Sequence, residues 1–98
     1  MELIISVLAG ADKGIVKSFN DFPISIGRLP DNDFQLNDSF VSRRHCTFYN
    51  DDIFLTVSDL KSTNKTILNK RIINDPCSLK DSDKLIVGKN LLLITICD

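Results

Sequence analysis

The chain is short of the residues that build metal centres and disulfide frameworks. It has one histidine, His45, and three cysteines, Cys46, Cys77 and Cys97. An odd number of cysteines cannot pair completely, and their spacing matches no zinc-binding pattern. Adjacent side chains of a strand point to opposite faces, so His45 and Cys46 form a poor chelate. We therefore expect free thiols in a reducing cytoplasm, no metal site and no cofactor.

The sequence also lacks the features of a nucleic-acid-binding or membrane protein. Twelve Lys and Arg residues against thirteen Asp and Glu residues give a formal net charge of −1, which provides no general attraction to nucleic acid or acidic lipid. No apolar run approaches the ~20 residues that a membrane-spanning helix needs. The first five residues contain Glu2 and no basic segment, unlike a signal peptide. We expect no nucleic-acid partner and no membrane insertion.

What the sequence does contain is a series of short apolar or alternating stretches separated by turn residues. Hydrophobic residues make up 43% of the 98 residues, and no linker or repeat divides the chain, which favours one domain. No window of helical length shows helical periodicity. The stretches are residues 3–8, 15–19, 22–26, 33–36, 46–49, 53–57, 66–68, 71–73, 84–87 and 91–97. Many short strands with frequent turns predict an all-β antiparallel sandwich or barrel.

Two of these patterns give specific expectations. The two longest apolar stretches, residues 1–8 and 91–97, lie at the two ends of the chain, and we expect them to pair. Such pairing brings the termini together and leaves the opposite end of the sandwich free for a binding site. Within the sixth stretch, Ile53, Leu55 and Val57 alternate with other residues and are predicted to share one face of a strand.

Three segments in the predicted loops carry groups that suit phosphate binding. They are residues 26–28, 41–45 and 59–66. Their arginines offer planar forks of donors, their Ser, Thr and Asn residues offer short donors, and their turns can aim backbone N–H groups inward. Residues 41–71 contain six basic and three acidic residues, a net +3. That charge complements the about −1.5 to −2 carried by a phosphorylated residue at neutral pH.

The order and spacing of these residues resemble the signature of the forkhead-associated (FHA) domain family. The matching pieces are Gly27-Arg28, then Ser42-Arg43-Arg44-His45, then Asp-Leu-Lys-Ser-Thr-Asn-Lys-Thr-Ile-Leu-Asn over residues 59–69. The resemblance implies a single FHA domain over residues 1–98, an antiparallel β-sandwich of about eleven short strands with its recognition loops at one end. It also implies a phosphothreonine-dependent protein–protein interaction module that binds a short extended phosphopeptide segment of a partner.

Carried over residue by residue, the resemblance assigns a phosphopeptide-binding set. Arg28 and Ser42 would bind the phosphate oxygens directly. Arg43 would reach the phosphate or the peptide backbone beside it, although a solvent-exposed arginine without a role is a competing interpretation. Thr63 would contact the phosphate or line the pocket for the threonine methyl group. Asn64 would hydrogen-bond the peptide main chain.

The resemblance assigns supporting roles to three more residues. Gly27 ends a strand, His45 would tie the Ser42 loop to its neighbour by hydrogen bonds, and Asn69 would be a structural turn residue. The chain departs from the family at Lys65 and Lys70, where glycine usually follows the asparagine. Because lysine at positive φ costs of order 1 kcal/mol, these loops are either reshaped or take a turn that lysine accepts.

Two other classes of function are weighed against a phosphothreonine reader. A phospho-independent FHA-like assembly or scaffold module, for example in a secretion or signalling complex, typically lacks the phosphate-binding arginine and serine. Arg28 and Ser42 are both present and argue against this alternative, whereas Lys65 and Lys70 argue weakly for it. A hydrolase triad of Ser42, His45 and Asp59 has no Gly-x-Ser-x-Gly elbow to support it. We therefore expect a binding module and no enzyme.

Overall fold

The computed structural model describes residues 1–51 and 53–97. Within those ranges the chain forms eleven β-strands and no helix. It therefore contains, within the same ranges, no helix that is long and apolar enough to cross a membrane. The strands are β1 (Glu2–Ala9), β2 (Val16–Phe19), β3 (Ile24–Gly27), β4 (Phe34–Gln35), β5 (Cys46–Asp51), β6 (Phe54–Asp59), β7 (Thr66–Leu68), β8 (Arg71–Ile72), β9 (Cys77–Leu79), β10 (Lys84–Val87) and β11 (Asn90–Cys97). The all-β class predicted from the sequence is confirmed.

The strands form two sheets that pack as a sandwich. One sheet has six strands in the order β2-β1-β11-β10-β7-β8, and the other has five in the order β4-β3-β5-β6-β9. Strands β1 and β11 pair antiparallel along their length, from Glu2 opposite Cys97 to Ala9 opposite Leu91. The expected pairing of the chain ends is therefore confirmed, and the termini share one end of the sandwich.

The core lies between the sheets and follows from the alternation of side chains along each strand. In β1, Leu3, Ile5 and Val7 point inward and are at most 3% exposed. Each fully buried side chain of this size contributes about 1.5–3 kcal/mol relative to leaving it in water. Other buried hydrophobic residues of the strands are Ile24, Ile26, Phe34, Cys46, Phe48, Leu55, Val57, Leu79, Leu85, Val87, Leu92 and Ile94.

The structure differs from the sequence-based expectations in three details. Strands β3 and β4 pair in parallel, so the sandwich is not antiparallel throughout. Strand β9 was not predicted, because three residues after a proline give too short a pattern; it pairs with β6. Leu55 and Val57 share the buried face of β6, but Ile53, which was predicted to share that face, lies in the turn before the strand and is 78% exposed.

Candidate functional site

Three loops meet at the end of the sandwich opposite the termini, and we call them the recognition loops: residues 28–33, 36–45 and 60–65. Backbone hydrogen bonds join them. Arg28 N donates to Ser42 O at 3.0 Å, and Leu60 N donates to His45 O at 2.9 Å. The three sequence segments that carry phosphate-binding groups are thus brought together in space.

The first loop leaves β3 through Gly27, which is buried against the second loop. A Cβ atom at position 27 would overlap the carbonyl of Arg43 and lie 2.7 Å from Nδ2 of Asn32. Only glycine allows this close approach of the two backbones, which places Arg28 beside Ser42.

The Arg28 side chain is exposed and held in one orientation by a single backbone contact. Its Nε donates to the carbonyl of Val41 at 3.1 Å. Among the described residues neither terminal nitrogen of the Arg28 guanidinium has a hydrogen-bond partner. The ion pair in the described part of the chain joins Arg44 to Asp31 and does not involve Arg28. The two terminal nitrogens therefore form a fixed fork of donors that faces solvent.

The hydroxyl of Ser42 connects the second recognition loop to the third. Its Oγ accepts a hydrogen bond from the backbone N–H of Thr63 at 3.0 Å. Because the oxygen acts as acceptor in that contact, the hydroxyl hydrogen is left to donate to another group. The side chain is half-buried, and the backbone of Ser42 is joined to that of Arg28 by the 3.0 Å hydrogen bond described above.

His45 is fully buried beneath these loops and links three chain segments. Its Nδ1 accepts from Ser42 N at 3.0 Å, and its Nε2 lies 2.8 Å from Lys65 O, which assigns the proton to Nε2. Burial lowers the pKa of His45 below its ordinary value of 6.5, although the Lys65 carbonyl, Asp59 and Asp38 act in the opposite direction. The imidazole is therefore neutral and fixes the Ser42 turn.

Asp59, the last residue of β6, organises the third recognition loop that follows it. Its Oδ1 accepts from the hydroxyls of Ser62 and Thr66, and its Oδ2 accepts from Ser62 N at 3.0 Å. Burial acts to raise the pKa of Asp59, but these hydrogen bonds outweigh it and hold the pKa below its ordinary value. The triad of Ser42, His45 and Asp59 does not form, because His45 receives the backbone N–H of Ser42 rather than its hydroxyl.

The remaining predicted binding residues surround Ser42. Arg43, Thr63 and Asn64 are all exposed, and they flank the Ser42 hydroxyl in the second and third loops. Asn64 Nδ2 donates to the carbonyl of Phe40 at 2.8 Å, and among the described residues its side-chain oxygen has no hydrogen-bond partner. Among the described residues the side chains of Arg43 and Thr63 have no hydrogen-bond partner.

Asn69 lies apart from these loops, at the end of the sandwich that holds the termini. It sits in the two-residue turn between β7 and β8, and its side-chain oxygen accepts from Lys84 N at 2.9 Å. Its Nδ2 donates to Asp83 at 2.8 Å. These bonds join the β7–β8 hairpin to the start of β10.

The two lysines that replace the family's glycines keep the backbone conformation that glycine favours. Lys65 has φ 68° and Lys70 has φ 71°, both in the left-handed region. The loops are therefore not reshaped, and each lysine carries a conformational strain of about 1 kcal/mol. Asn69 has φ 47°, so Asn69 and Lys70 form a type I′ turn.

Several residues that support the recognition loops were missed by the sequence analysis. Asn32 is buried, and its Nδ2 donates to the carbonyls of Leu29 and Arg43 at 2.8 and 2.9 Å. Asp38 accepts from Phe40 N at 2.8 Å and from Lys89 N at 2.7 Å. The sequence Pro30-Asp31-Asn32 is typical of a turn and gives only a weak indication that Asn32 has a structural role. No local sequence pattern predicts the contact between Asp38 and Lys89.

The fold and the meeting of these loops define an FHA domain, and the comparisons with known proteins agree. The family model described as FHA domain matches residues 24–88, so the chain belongs to the FHA-domain family. It is 38% identical over 65 residues to glycogen accumulation regulator GarA of Mycobacterium tuberculosis, covering 66% of this chain and 40% of that protein. The chain thus spans less than half the length of the curated relatives that it matches.

Solved structures resemble the whole chain. One, from a structural and functional analysis of phosphothreonine-dependent FHA domain interactions, has a TM-score of 0.88 and 26% identity, covering 100% of this chain and 99% of that one. The FHA domain of the CT664 protein from Chlamydia trachomatis has a TM-score of 0.89 and 26% identity, with both chains covered completely. The FhaA FHA domain, in complex with the intracellular domain of Rv3910, has a TM-score of 0.83 and 28% identity over 94% and 98% of the chains.

Proposed function

We propose that this FHA domain binds a phosphothreonine-containing segment of a partner protein through its recognition loops. The observation that carries the proposal is the meeting of Arg28 and Ser42, whose backbones are joined by a 3.0 Å hydrogen bond. One residue offers a guanidinium fork and the other a hydroxyl donor. A phosphate dianion is the group that accepts from both at once.

The phosphate would lie between the terminal nitrogens of Arg28 and the hydroxyl of Ser42. Since Val41 holds Nε at 3.1 Å, the guanidinium is oriented before the ligand arrives, which reduces the entropy lost on binding. A hydrogen bond to a charged group contributes about 1.5–3 kcal/mol. Over a short peptide we expect micromolar affinity, about −8 kcal/mol in total.

The peptide on either side of the phosphothreonine would contact the exposed residues around Ser42. Asn64 would pair with the peptide main chain through its side-chain oxygen, and Arg43 would reach the phosphate or the adjoining backbone. Thr63 would contact the phosphate or accommodate the threonine methyl group. This set of loop residues is a surface for an extended segment rather than an enclosed pocket.

The relatives support the phosphothreonine proposal over a phospho-independent scaffold. One similar structure, matched over 100% of this chain and 99% of its own, comes from a structural and functional analysis of phosphothreonine-dependent FHA domain interactions. The present chain contains both Arg28 and Ser42, and among the described residues Arg28 forms no ion pair. A scaffold that does not read phosphate has no need of this arrangement.

The proposal also covers the extent of the domain, its lack of catalytic activity and its cellular location. We infer one domain over residues 1–98 that catalyses no reaction, since the Ser42, His45 and Asp59 side chains are engaged in loop contacts. The three cysteines are free, which suits a reducing cytoplasm.

A titration with matched peptides tests the proposal. Degenerate peptides with a central phosphothreonine, phosphoserine or unmodified threonine are titrated against the wild-type domain, Arg28→Ala and Arg44→Ala. We expect micromolar binding of the phosphothreonine form alone and a loss of at least about tenfold in Arg28→Ala, which corresponds to 1.4 kcal/mol. Arg44→Ala is the control, because Arg44 pairs with Asp31. Equal binding of the unmodified peptide by wild type and Arg28→Ala would instead establish the scaffold function.

A further inference from the structure

A row of aliphatic side chains crosses the outer face of the six-stranded sheet. Leu91 of β11 lies opposite Ile86 of β10, Ile86 lies opposite Ile67 of β7, and Ile67 lies opposite Ile72 of β8. Paired residues share a face of a sheet, and the neighbours of Ile86 in β10 are buried in the core. The row therefore points away from the core, and Ile72 is 55% exposed.

Part of this row forms the floor of a groove of about 500 Å³. Ile86 and Leu91 supply the apolar floor, and the polar side chains that line the groove include Lys70 and Lys84 and no acidic residue. None of the five proposed phosphopeptide-binding residues lines it. The groove is therefore a second surface, on a different part of the molecule from the recognition loops.

The β7–β8 turn places a positive charge at the edge of this groove. Lys70 has φ 71° in a type I′ turn, where glycine is the favoured residue. The lysine that stands there lies beside the apolar floor and lines the groove together with Lys84.

We propose that this groove binds an unphosphorylated protein segment in which aliphatic residues alternate with Asp or Glu or lie close to them. The aliphatic side chains would pack on Ile86 and Leu91, and the carboxylates would pair with Lys70 and Lys84. A second copy of the chain is a poorer occupant, because a symmetric contact centred on the groove brings the same lysines together. The FHA domain would then hold its partner at two places, or hold two partners at once.

A displayed library of short unphosphorylated peptides tests this groove. The wild-type domain is the bait, and selected peptides are titrated against wild type, Lys70→Glu/Lys84→Glu and the control Lys13→Glu/Lys80→Glu, which reverses two exposed lysines outside the groove. We expect enrichment of acidic-aliphatic sequences, a rise in Kd of at least tenfold in the groove variant alone, and changed methyl signals of Ile86 and Leu91. Thermal unfolding verifies that the variants fold.

The proposal is overturned by any of three results. These are the absence of enriched peptides, enrichment of peptides without acidic residues, and affinities that ignore the groove variant. Sedimentation that shows a wild-type dimer dissolved by Ile86→Glu would assign the face to self-association and also contradict it.

Discussion

At the scale of single residues, the recognition loops are held by polar side chains that bind backbone groups of neighbouring loops. Asn32 binds the carbonyls of Leu29 and Arg43, and His45 binds the N–H of Ser42 and the carbonyl of Lys65. Such contacts satisfy backbone groups that no strand pairs. They also fix Ser42 and its neighbours before a ligand is present.

The buried histidine makes the stability of the domain depend on pH. The pKa of His45 in the folded chain lies below its ordinary value of 6.5, so the unfolded chain binds more protons at and below that pH. The free energy of unfolding should therefore fall as the pH drops from about 7 to 5, by at most about 1.4 kcal/mol per pH unit. Unfolding in urea at several pH values measures it.

His45→Gln is the control for this pH dependence. The variant lacks the titrating imidazole and should show a flatter profile between pH 7 and 5, at lower overall stability. Asp59 does not interfere, because its pKa is lowered from 3.8 and its contribution is lost only at more acid pH. Parallel profiles of wild type and variant would show that His45 is not the group responsible.

At the scale of structural elements, the turns carry strain that the strands do not. Five non-glycine residues have positive φ, namely Lys61, Lys65, Asn69, Lys70 and Ser82. Two of them form the β7–β8 turn, where asparagine is accommodated well and lysine is not. The hairpin persists because Asn69 is bonded to Lys84 and Asp83.

Replacing Lys70 by glycine should relieve part of this strain. Glycine adopts φ 71° without the clash of a Cβ atom, so we expect Lys70→Gly to raise the free energy of unfolding by about 0.5–1 kcal/mol. Urea unfolding measures the change. Lys80→Gly is the matched control at a position without positive φ and should be neutral or destabilising. Destabilisation by Lys70→Gly would mean that the lysine side chain stabilises the turn by more than the strain.

The sequence predicted the elements where its pattern was local. The alternation in β1 and the motif around Ser42 identify a strand and a loop from adjacent residues alone. The parallel pairing of β3 with β4 could not be predicted, because it depends on how the loop after Gly27 returns to the sheet. The contact of Asp38 with Lys89 joins residues 51 positions apart, and no local pattern specifies such a bond.

At the scale of the whole molecule, the sandwich separates its termini from its recognition loops. Pairing of β1 with β11 places both chain ends at one end, while the loops after β3, before β5 and after β6 meet at the other. A net charge of −1 for the chain coexists with exposed Arg28, Arg43 and Lys65 at the loop end. The proposed ligand is thus attracted to one end of a nearly neutral molecule.

The central claim is that Arg28 and Ser42 converge on one phosphate. A crystal structure of the domain with a phosphothreonine peptide tests it most directly. We predict that the phosphate lies within hydrogen-bonding distance, about 2.7–3.0 Å, of a terminal nitrogen of Arg28 and of Ser42 Oγ. A phosphate bound elsewhere on the domain, with Arg28 and Ser42 both facing solvent, would contradict the claim.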